Sequence, residues 1–567
     1  MSANDWWKRA VFYQIYPRSF ADSDGDGIGD LRGIIEKLDY LQWLGIDAIW
    51  LSPHFPSPQA DCGYDVSDYC DVAPEYGTLD DFRELLAGAH ARGMKVVLDL
   101  VMNHSSEEHP WFQASRRREA PYSDWYMWHD GAADGGPPND WESGFGGSAW
   151  TWDELRGQYY YHYFLKEQPD LNWDNPEVRE AMWNVVRFWY ELGVDGFRLD
   201  AIGTLFEEPN LTNHGTPYSW TTLMLQMAAP HGPVEEDLIW RQVGELNRFQ
   251  HDLPAVHPIM KQLRIVNDEF ADRVLIGESE DIAYYGNGSD ELHLVFNFDL
   301  MRTDRLNSEW VAANQAARRR AMPPGTWPCN TLGNHDKSRS FTQYGDGVND
   351  GALARLSIAL LATLRGTPVF YNGEEIGMSD YYLTDRGQLR DRWAIVIDEL
   401  AQRALPLSDE ALFERTRRLT RDRCRTPMQW QNAANGGFSP AGVTTWLPVN
   451  PNYAEGVNVA EQRADDASLL HFFRDMLHLR RALPALIDGD YTLLHAEADG
   501  VLCFARHSAE QRITVCLNFA EAERRLCLPH GDYHVHFSTA QRGSTLDANG
   551  LTLAPFEVML LEAKARE

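Results

Sequence analysis

No stretch of this 567-residue chain stays apolar for the roughly 18 residues a membrane-spanning helix needs, so no membrane partner is expected. Basic charge is also in short supply. The 51 Lys and Arg stand against 84 Asp and Glu, and a net charge of −33 argues against nucleic acid or an anionic membrane surface as partner. Cysteine is sparse and odd in number: Cys62, Cys70, Cys329, Cys424, Cys503, Cys516 and Cys527 share no zinc-type spacing and suggest no disulfide framework. Reduced, buried thiols are therefore expected. The opening residues Met1-Ser-Ala-Asn-Asp-Trp-Trp-Lys lack a basic segment followed by an apolar one, so the expected location is cytoplasmic. Repeats and low-complexity tracts are missing too.

What is present is a rhythm. Apolar runs at residues 10–16, 47–52 and 95–101 alternate with stretches of helical spacing at 31–44 and 79–92. Between 102 and 173 the rhythm stops, in a segment rich in Gly, Pro, Trp and Asp. A structureless loop of that length is improbable, so a small inserted domain is expected there. A helix at 176–192 follows, with Pro176 in its first turn and Gly193 just past its end. Further strand-like runs lie at 196–202, 273–279, 292–298, 328–336 and 367–371. Eight strands alternating with helices predict a closed (β/α)8 barrel of the α/β class. An irregular region is expected from 378 to 458, then a helix at 467–483. From 491 onward short alternating segments predict a C-terminal antiparallel β-sandwich. The expected division is a barrel at 1–101 and 174–485, the insertion at 102–173 and the sandwich at 486–567.

Four polar islands end four of the strand runs: Asp99 to His104, Arg198 with Asp200, Glu278, and His335 with Asp336. A barrel gathers such groups, distant in sequence, at the C-terminal ends of its strands. Two carboxyls flanking an anomeric carbon cleave a glycosidic bond, and in the retaining version they stand only ~5–5.5 Å apart. Asp200 suits the nucleophile. Arg198, two residues earlier on the same strand face, is expected to depress its pKa and keep it ionised. Glu278 suits the acid/base, which it can serve at neutral pH if apolar walls raise its pKa. His104 and His335 suit neutral donors to sugar hydroxyls, and Asp336 suits a hydroxyl pair. A lone His or Arg–Asp pair at a strand end is usually structural; two His, each beside an Asn (Asn103, Asn334), point to function. The 20 Trp and 23 Tyr offer faces for sugar rings, but a large barrel buries most of its aromatics.

Asp99-Leu-Val-Met-Asn-His104, Gly196-Phe-Arg-Leu-Asp200, Gly277-Glu278 and Asn334-His-Asp336 resemble, in order, the four signature regions of glycoside hydrolase family 13, the α-amylase family. The segments 45–53 and 366–377 match as well, so the resemblance covers essentially the whole chain. It implies Asp200 as nucleophile, Glu278 as acid/base and Asp336 as transition-state stabiliser, with Arg198, His104 and His335 touching the innermost sugar. Gln168-Pro-Asp-Leu-Asn172 is similar to the motif of the oligo-1,6-glucosidase and α-glucosidase branch. By the same resemblance Asp61 and Tyr64 of Asp61-Cys-Gly-Tyr-Asp65 grip a terminal glucose, and Arg425 of Arg425-Thr-Pro-Met-Gln-Trp430 closes the pocket, with Asn172 beside it. Ala201, after the nucleophile, stands where that branch carries Val with α-1,6 activity and Ala, Thr or Gly with α-1,4. Departures are Asn372 in place of a usual Tyr, Cys62 within the pocket motif, and the stretch 206–241, which matches no assigned pattern.

Residues 22–30 carry acidic groups at alternate positions, which suits a hard cation. The twelfth position is Gly33 rather than Glu, which argues against an EF-hand. The family branch binds calcium at a matching loop, implying Asp22, Asp24, Asp26, the Ile28 carbonyl and Asp30 as ligands of a structural Ca2+. The expectation is thus a retaining, exo-acting α-glucosidase on maltose and short α-glucosides, α-1,4 preferred, as a monomer or small homo-oligomer with no organic cofactor. The alternatives are an oligo-1,6-glucosidase, or a sugar isomerase or transglucosylase of the trehalose synthase or sucrose isomerase type, which share the nucleophile and differ in what attacks the glucosyl-enzyme. An ancillary subunit without activity is disfavoured because every expected carboxylate is present.

Overall fold

Strand periodicity decides which side chains reach the centre of this protein. The structure, a computed structural model, describes residues 5–227, 229, 233–496, 500–529, 531–540, 542–547 and 550–563. Strands β1 (Phe12–Ile15), β2 (Ala48–Leu51) and β3 (Lys95–Val101) are followed by β4 (Trp128–His129), β5 (Trp150–Asp153) and β6 (Gln158–Tyr161). Then come β7 (Gly196–Asp200), β8 (Val274–Gly277), β9 (Leu294–Val295), β10 (Cys329–Thr331) and β11 (Thr367–Tyr371). Eight of these form one parallel sheet in the order β10-β11-β1-β2-β3-β7-β8-β9, and a bridge between Phe296 and Cys329 joins its two ends. The expected barrel is the observed one.

Phe12, Ala48, Val97, Val274, Leu294 and Val369 turn inward and plug the lower barrel with Trp7 and Trp327. Their chain neighbours Tyr13, Ile49, Leu98, Leu275, Val295 and Phe370 pack outward in the main core. The same parity carried upward turns Gln14, Trp50, Asp99, Arg198 and Asp200 inward. Gly196 opens β7 because nothing larger fits: an added Cβ would lie 2.4 Å from the Val274 carbonyl oxygen.

Several elements differ from expectation. The helix expected at 31–44 breaks at Lys37 into Leu31–Glu36 and Leu38–Leu44. Gly33 seats the first piece so closely that a Cβ would meet the Ala21 carbonyl at 2.1 Å, and the break lets Leu38, Leu41 and Leu44 still reach the core. The strand expected at 328–336 pairs only over Cys329–Thr331, which leaves His335 and Asp336 on the following loop. The region expected to be irregular contains helices Arg392–Ala404 and Asp409–Leu419. Their buried stripes are narrow, and the first packs Ile397 against Trp220, Leu223 and Met224 of helix Trp220–Met227, itself within the unassigned polar stretch. The segment after β3 holds helix Pro110–Arg116, whose Phe112 joins the main core, and the antiparallel sheet β4-β6-β5, whose Trp150 and Tyr161 form a small aromatic core with Trp141 and Tyr163.

The C-terminal strands are β12 (Asp490–Ala496), β13 (Val501–His507), β14 (Arg512–Asn518), β15 (Arg524–Leu526), β16 (Asp532–Ser538), β17 (Thr545–Asp547), β18 (Leu551–Leu553) and β19 (Val558–Ala563). Six make an antiparallel sheet, β12-β13-β14-β19-β16-β17, and β15 with β18 makes a ribbon over one face. The two layers are therefore unequal. Leu502, Phe504, Val515, Leu517 and Leu560 of the six-stranded sheet join the main core. The other face packs Cys503, Cys516 and Leu561 under Leu526, Leu551 and Leu553. Cys503 and Cys516 are register partners with sulfurs 3.2 Å apart, and all seven cysteines are free thiols; Cys62 and Cys70 are half-buried and Cys527 exposed, against the expectation of burial throughout.

Buried Arg506 of β13 ties this sheet to the barrel, and buried Arg480 of helix Leu469–Ala482 supports the same seam from the barrel side. Arg480 donates to the carbonyls of Ala362 and Gly366 at 2.8 and 2.9 Å, and Arg506 to those of Thr363 and Leu364 at 2.7 and 2.9 Å. The carbonyls of Ala362, Thr363 and the C-cap Leu364 end helix Asp350–Thr363 and lack partners within it, and Gly366 follows just beyond. Burial lowers the pKa of both groups, that of Arg480 to about 10. Replacing Arg506 by Met should therefore strand buried carbonyls and cost about 2–4 kcal/mol in equilibrium denaturation. An unchanged denaturation midpoint would show that these caps carry no stability.

Candidate active site

One guanidinium organises the upper barrel. Arg198, 2% exposed, reaches Asp99 and Asp200 through Nη1 at 2.6 Å each and Glu278 through Nη2 at 2.7 Å, with its face 5.2 Å over the Trp50 ring. Register makes this possible, because Asp99 on β3 lies directly beside Arg198 on β7. Glu278, just past β8, also accepts the Ala201 N–H at 2.9 Å. Ala201 presents that N–H from a left-handed backbone, φ 43°, where a side chain costs about 1–2 kcal/mol.

Three carboxylates share this one cation. Burial pushes Asp99 up to about 6 against the pull of Arg198, with Glu278 adding to the rise. Burial likewise raises Asp200 well above the usual carboxylate range; Arg198 opposes this, and Glu278 and Asp99 reinforce it. Arg198 pulls Asp200 down as expected, but the net shift is upward, since one cation does not offset burial plus two like charges. Glu278 lies at the edge of this cluster. Its partners are two N–H donors, and its side chain is 24% exposed.

A second group stands opposite. Asp336 takes Arg425 at 2.5 Å, His335 Nε2 at 3.3 Å and Arg421 at 3.4 Å. Burial would raise its pKa, but His335, Arg425, Arg421 and Arg198 reverse that and hold it well below the usual range. Burial drops His335 and His104 to about 3, so both rings are neutral at physiological pH and the arginines carry the effect. Tyr64 stacks on His335 with centroids 5.7 Å apart, and its hydroxyl meets His335 Nε2 at 2.6 Å. Asp61 meets Gln168 Nε2 at 3.3 Å, the amide that also meets His104 Nε2 at 3.0 Å. Burial pushes Asp61 up to about 6, with Arg421 and Arg425 opposing. All nine expected catalytic and sugar-binding residues therefore fall in one connected network.

Sequence reasoning missed several members. Arg421 spans Asp61 and Asp336 at 3.4 Å each and is itself held by buried Asp391 at 2.6 Å. The density of charge in Arg421-Asp-Arg-Cys-Arg425 was its signal. Gln14 meets His335 Nδ1 at 2.7 Å, and a lone amide in an apolar strand run was the clue. Phe145 and Phe164, centroids 5.9 Å apart, wall the site from the inserted segment, under Arg421 and against His104 respectively. They carry no sequence signal among so many aromatics. Asn172 does not join the pocket: its amide donates to the Asp124 carbonyl at 2.9 Å and its oxygen accepts the Asp174 N–H at 3.1 Å, shaping a turn.

The acidic loop lies apart. Carboxylate oxygens of Asp22, Asp24 and Asp30 converge within 4.8 Å, a hard-oxygen set that fits a calcium ion. Asp26 lies outside that set and accepts the Ile28 N–H at 2.7 Å. Gly27, at φ 95°, lets the loop dock on Thr444, whose carbonyl oxygen a Cβ would meet at 2.2 Å.

Residues 14–489 match the family described as the alpha amylase catalytic domain. A probable alpha-glucosidase of Rhizobium meliloti is 40% identical over 536 residues, covering 93% of this chain and 91% of that protein. An oligo-1,6-glucosidase of Parageobacillus thermoglucosidasius is 37% identical over 558 residues, 94% of each chain. Among solved structures, the trehalulose synthase MutB of Pseudomonas mesoacidophila MX-45 superposes with a TM-score of 0.87 at 35% identity, over 99% of this chain and 100% of that one. Together with the catalytic network, these matches show that the chain is an enzyme of the α-amylase family, glycoside hydrolase family 13.

Proposed function

We propose that this enzyme is a retaining, exo-acting α-glucosidase that releases terminal α-glucose from maltose and short α-glucosides. The observation that carries this reading is the attachment of Asp200 and Glu278 to the two ends of one guanidinium. That favours the short carboxyl spacing of a retaining site over the ~6.5–9.5 Å that admits a water between the groups. Asp200 attacks C1 as Glu278 protonates the departing glycosidic oxygen; water then attacks the glucosyl ester while Glu278 takes its proton. Asp336, Asp61, His104, His335, Arg198 and Arg425 hold the terminal glucose. Arg421, spanning Asp61 and Asp336 under Phe145, supports a pocket blind at one end, hence exo-action. Ala201 supports the α-1,4 preference, because a β-branched side chain there would narrow the entrance to the second sugar's subsite, and Ala leaves it open. The second reading, an isomerase or transglucosylase, is favoured by the likeness to a trehalulose synthase. We further propose a structural calcium held by Asp22, Asp24 and Asp30, with Asp26 and the Ile28 carbonyl alongside, and a cytoplasmic location. No helix among the described residues is long and apolar enough to cross a membrane.

A product-resolved panel of maltose, isomaltose, sucrose, trehalose and p-nitrophenyl α-glucoside should give glucose fastest from maltose and the nitrophenyl substrate, and nothing with Asp200→Asn. Disaccharide as the main product of wild-type enzyme would overturn the hydrolase reading. Asp61 and Asp99, both near 6, serve as ionised acceptors, so kcat/KM should fall as pH drops through about 6. Because carboxyl ionisation has little enthalpy, that limb should stay put on warming; a limb that moves as imidazole does would reassign it. The sign for stability is opposite: raised carboxyl pKa values contribute stability below the unfolded-state pKa and lose it as pH rises through about 6. Chelator should lower the thermal midpoint and added calcium restore it, with the response gone in Asp30→Asn. A chelator-insensitive wild type would exclude the ion.

A further inference from the structure

Gln14 lies in the middle of β1, fully buried, and takes no part in the chemistry described above. Its amide nitrogen meets Ser52 Oγ at 3.0 Å and His335 Nδ1 at 2.7 Å, while its oxygen has no hydrogen-bond partner. Turning the amide over would leave both N–H groups stranded in the barrel instead of one carbonyl oxygen, and unpaired buried donors are the rarer and costlier case. The amide therefore donates to Nδ1. A neutral ring has a single N–H, so the proton of His335 sits on Nε2. That N–H points at the Tyr64 hydroxyl, 2.6 Å away, which passes its own proton toward Asp99 at 3.3 Å.

We propose that Gln14 is a positioning residue that fixes the tautomer of His335, so that the Nε2–H, shared between the Tyr64 hydroxyl and a glucosyl hydroxyl, donates to the sugar and never accepts from it. Nε2 stands 3.3 Å from the Asp336 carboxylate, placing a donor and an acceptor side by side. One hydroxyl satisfies both, accepting from His335 and donating to Asp336. In the other tautomer two acceptors would face a hydroxyl with one proton to give. This proposal rests on the α-glucosidase reading for the identity of the hydroxyl, not for the tautomer itself.

Two measurements test it separately. In protein labelled with nitrogen-15 histidine, with the His335 signals located by their loss in His335→Asn, Nε2 should be protonated and Nδ1 bare. Gln14→Glu, which can only accept, should move the proton to Nδ1. A wild-type ring protonated on Nδ1 overturns the proposal whatever the enzyme hydrolyses, and this readout survives even if the variant does not fold. The second measurement compares wild type with Gln14→Glu and Gln14→Leu on p-nitrophenyl α-glucosides carrying OH, F or H at positions 2 and 3. Gln14→Glu should lower kcat/KM on the parent sugar about 10- to 100-fold, the scale of one hydrogen bond to a charged group. At one position the loss should shrink to about threefold or less with H, which offers no acceptor, and persist with F, which accepts but cannot donate. Gln14→Leu, leaving the tautomer free, should fall between. An equal loss on all sugars would reduce Gln14 to a structural role. No turnover of any α-glucoside by wild type would sink the α-glucosidase reading and leave the tautomer to the spectrum.

Discussion

The upper half of this barrel depends on a buried cation that cannot be left unpaired. Arg198 is fully enclosed, and each of its three carboxylate partners comes from a different strand end. Removing a charge from water costs several kcal/mol unless partners replace the solvent, and three partners can meet one guanidinium only if β3, β7 and β8 lie side by side in register. Closure of the barrel, parity of the strands and ionisation of the site are therefore one constraint seen three ways.

The barrel was legible because its signal is redundant. Eight apolar runs each state the same alternation, and the residues that break it, Asp99, Arg198 and Asp200, break it on the inward face. The network around Asp336 was half legible. Arg425 and His335 belong to recognisable motifs, whereas Arg421 showed only as part of a charged run, and Asp391, thirty residues earlier, fixes it by hydrogen bonds that no spacing encodes. The direction of the Asp200 shift was misjudged because a sequence reveals the adjacent cation but not the number of carboxylates that share it. Asn172 looked like a pocket residue by its motif, yet its amide is consumed by the turn that ends the inserted segment. Phe145 and Phe164 were invisible, since nothing distinguishes a wall aromatic from a core one until the insertion is folded.

The helices over the barrel mouth escaped notice for a different reason. Trp220–Met227, Pro233–Leu246 and Arg392–Ala404 bury Leu223, Met224, Val243, Leu246 and Ile397 in a core of their own, separate from the main one. The buried residues of the first, Trp220, Leu223, Met224 and Met227, keep helical spacing, but in a helix of only 8 residues set within a polar stretch. Asp391 caps the N-terminus of the last helix and holds Arg421 with the same carboxylate oxygen. The placement of an arginine that spans the pocket is thus set by the seating of a helix outside it.

Arg480 and Arg506 have a consequence for how the chain matures on the ribosome. Once synthesis has passed β11, all eight barrel strands exist, yet the carbonyl end of helix Asp350–Thr363 still lacks the donors that finish it. Those donors are translated more than a hundred residues later. Until residue 506 clears the exit tunnel, the nascent barrel keeps an open helix end and a bare apolar flank where Phe504 and Val515 will sit. Vectorial synthesis therefore delivers the chemistry first and its fastening last, and a barrel released early would be complete in topology but unfinished at one seam.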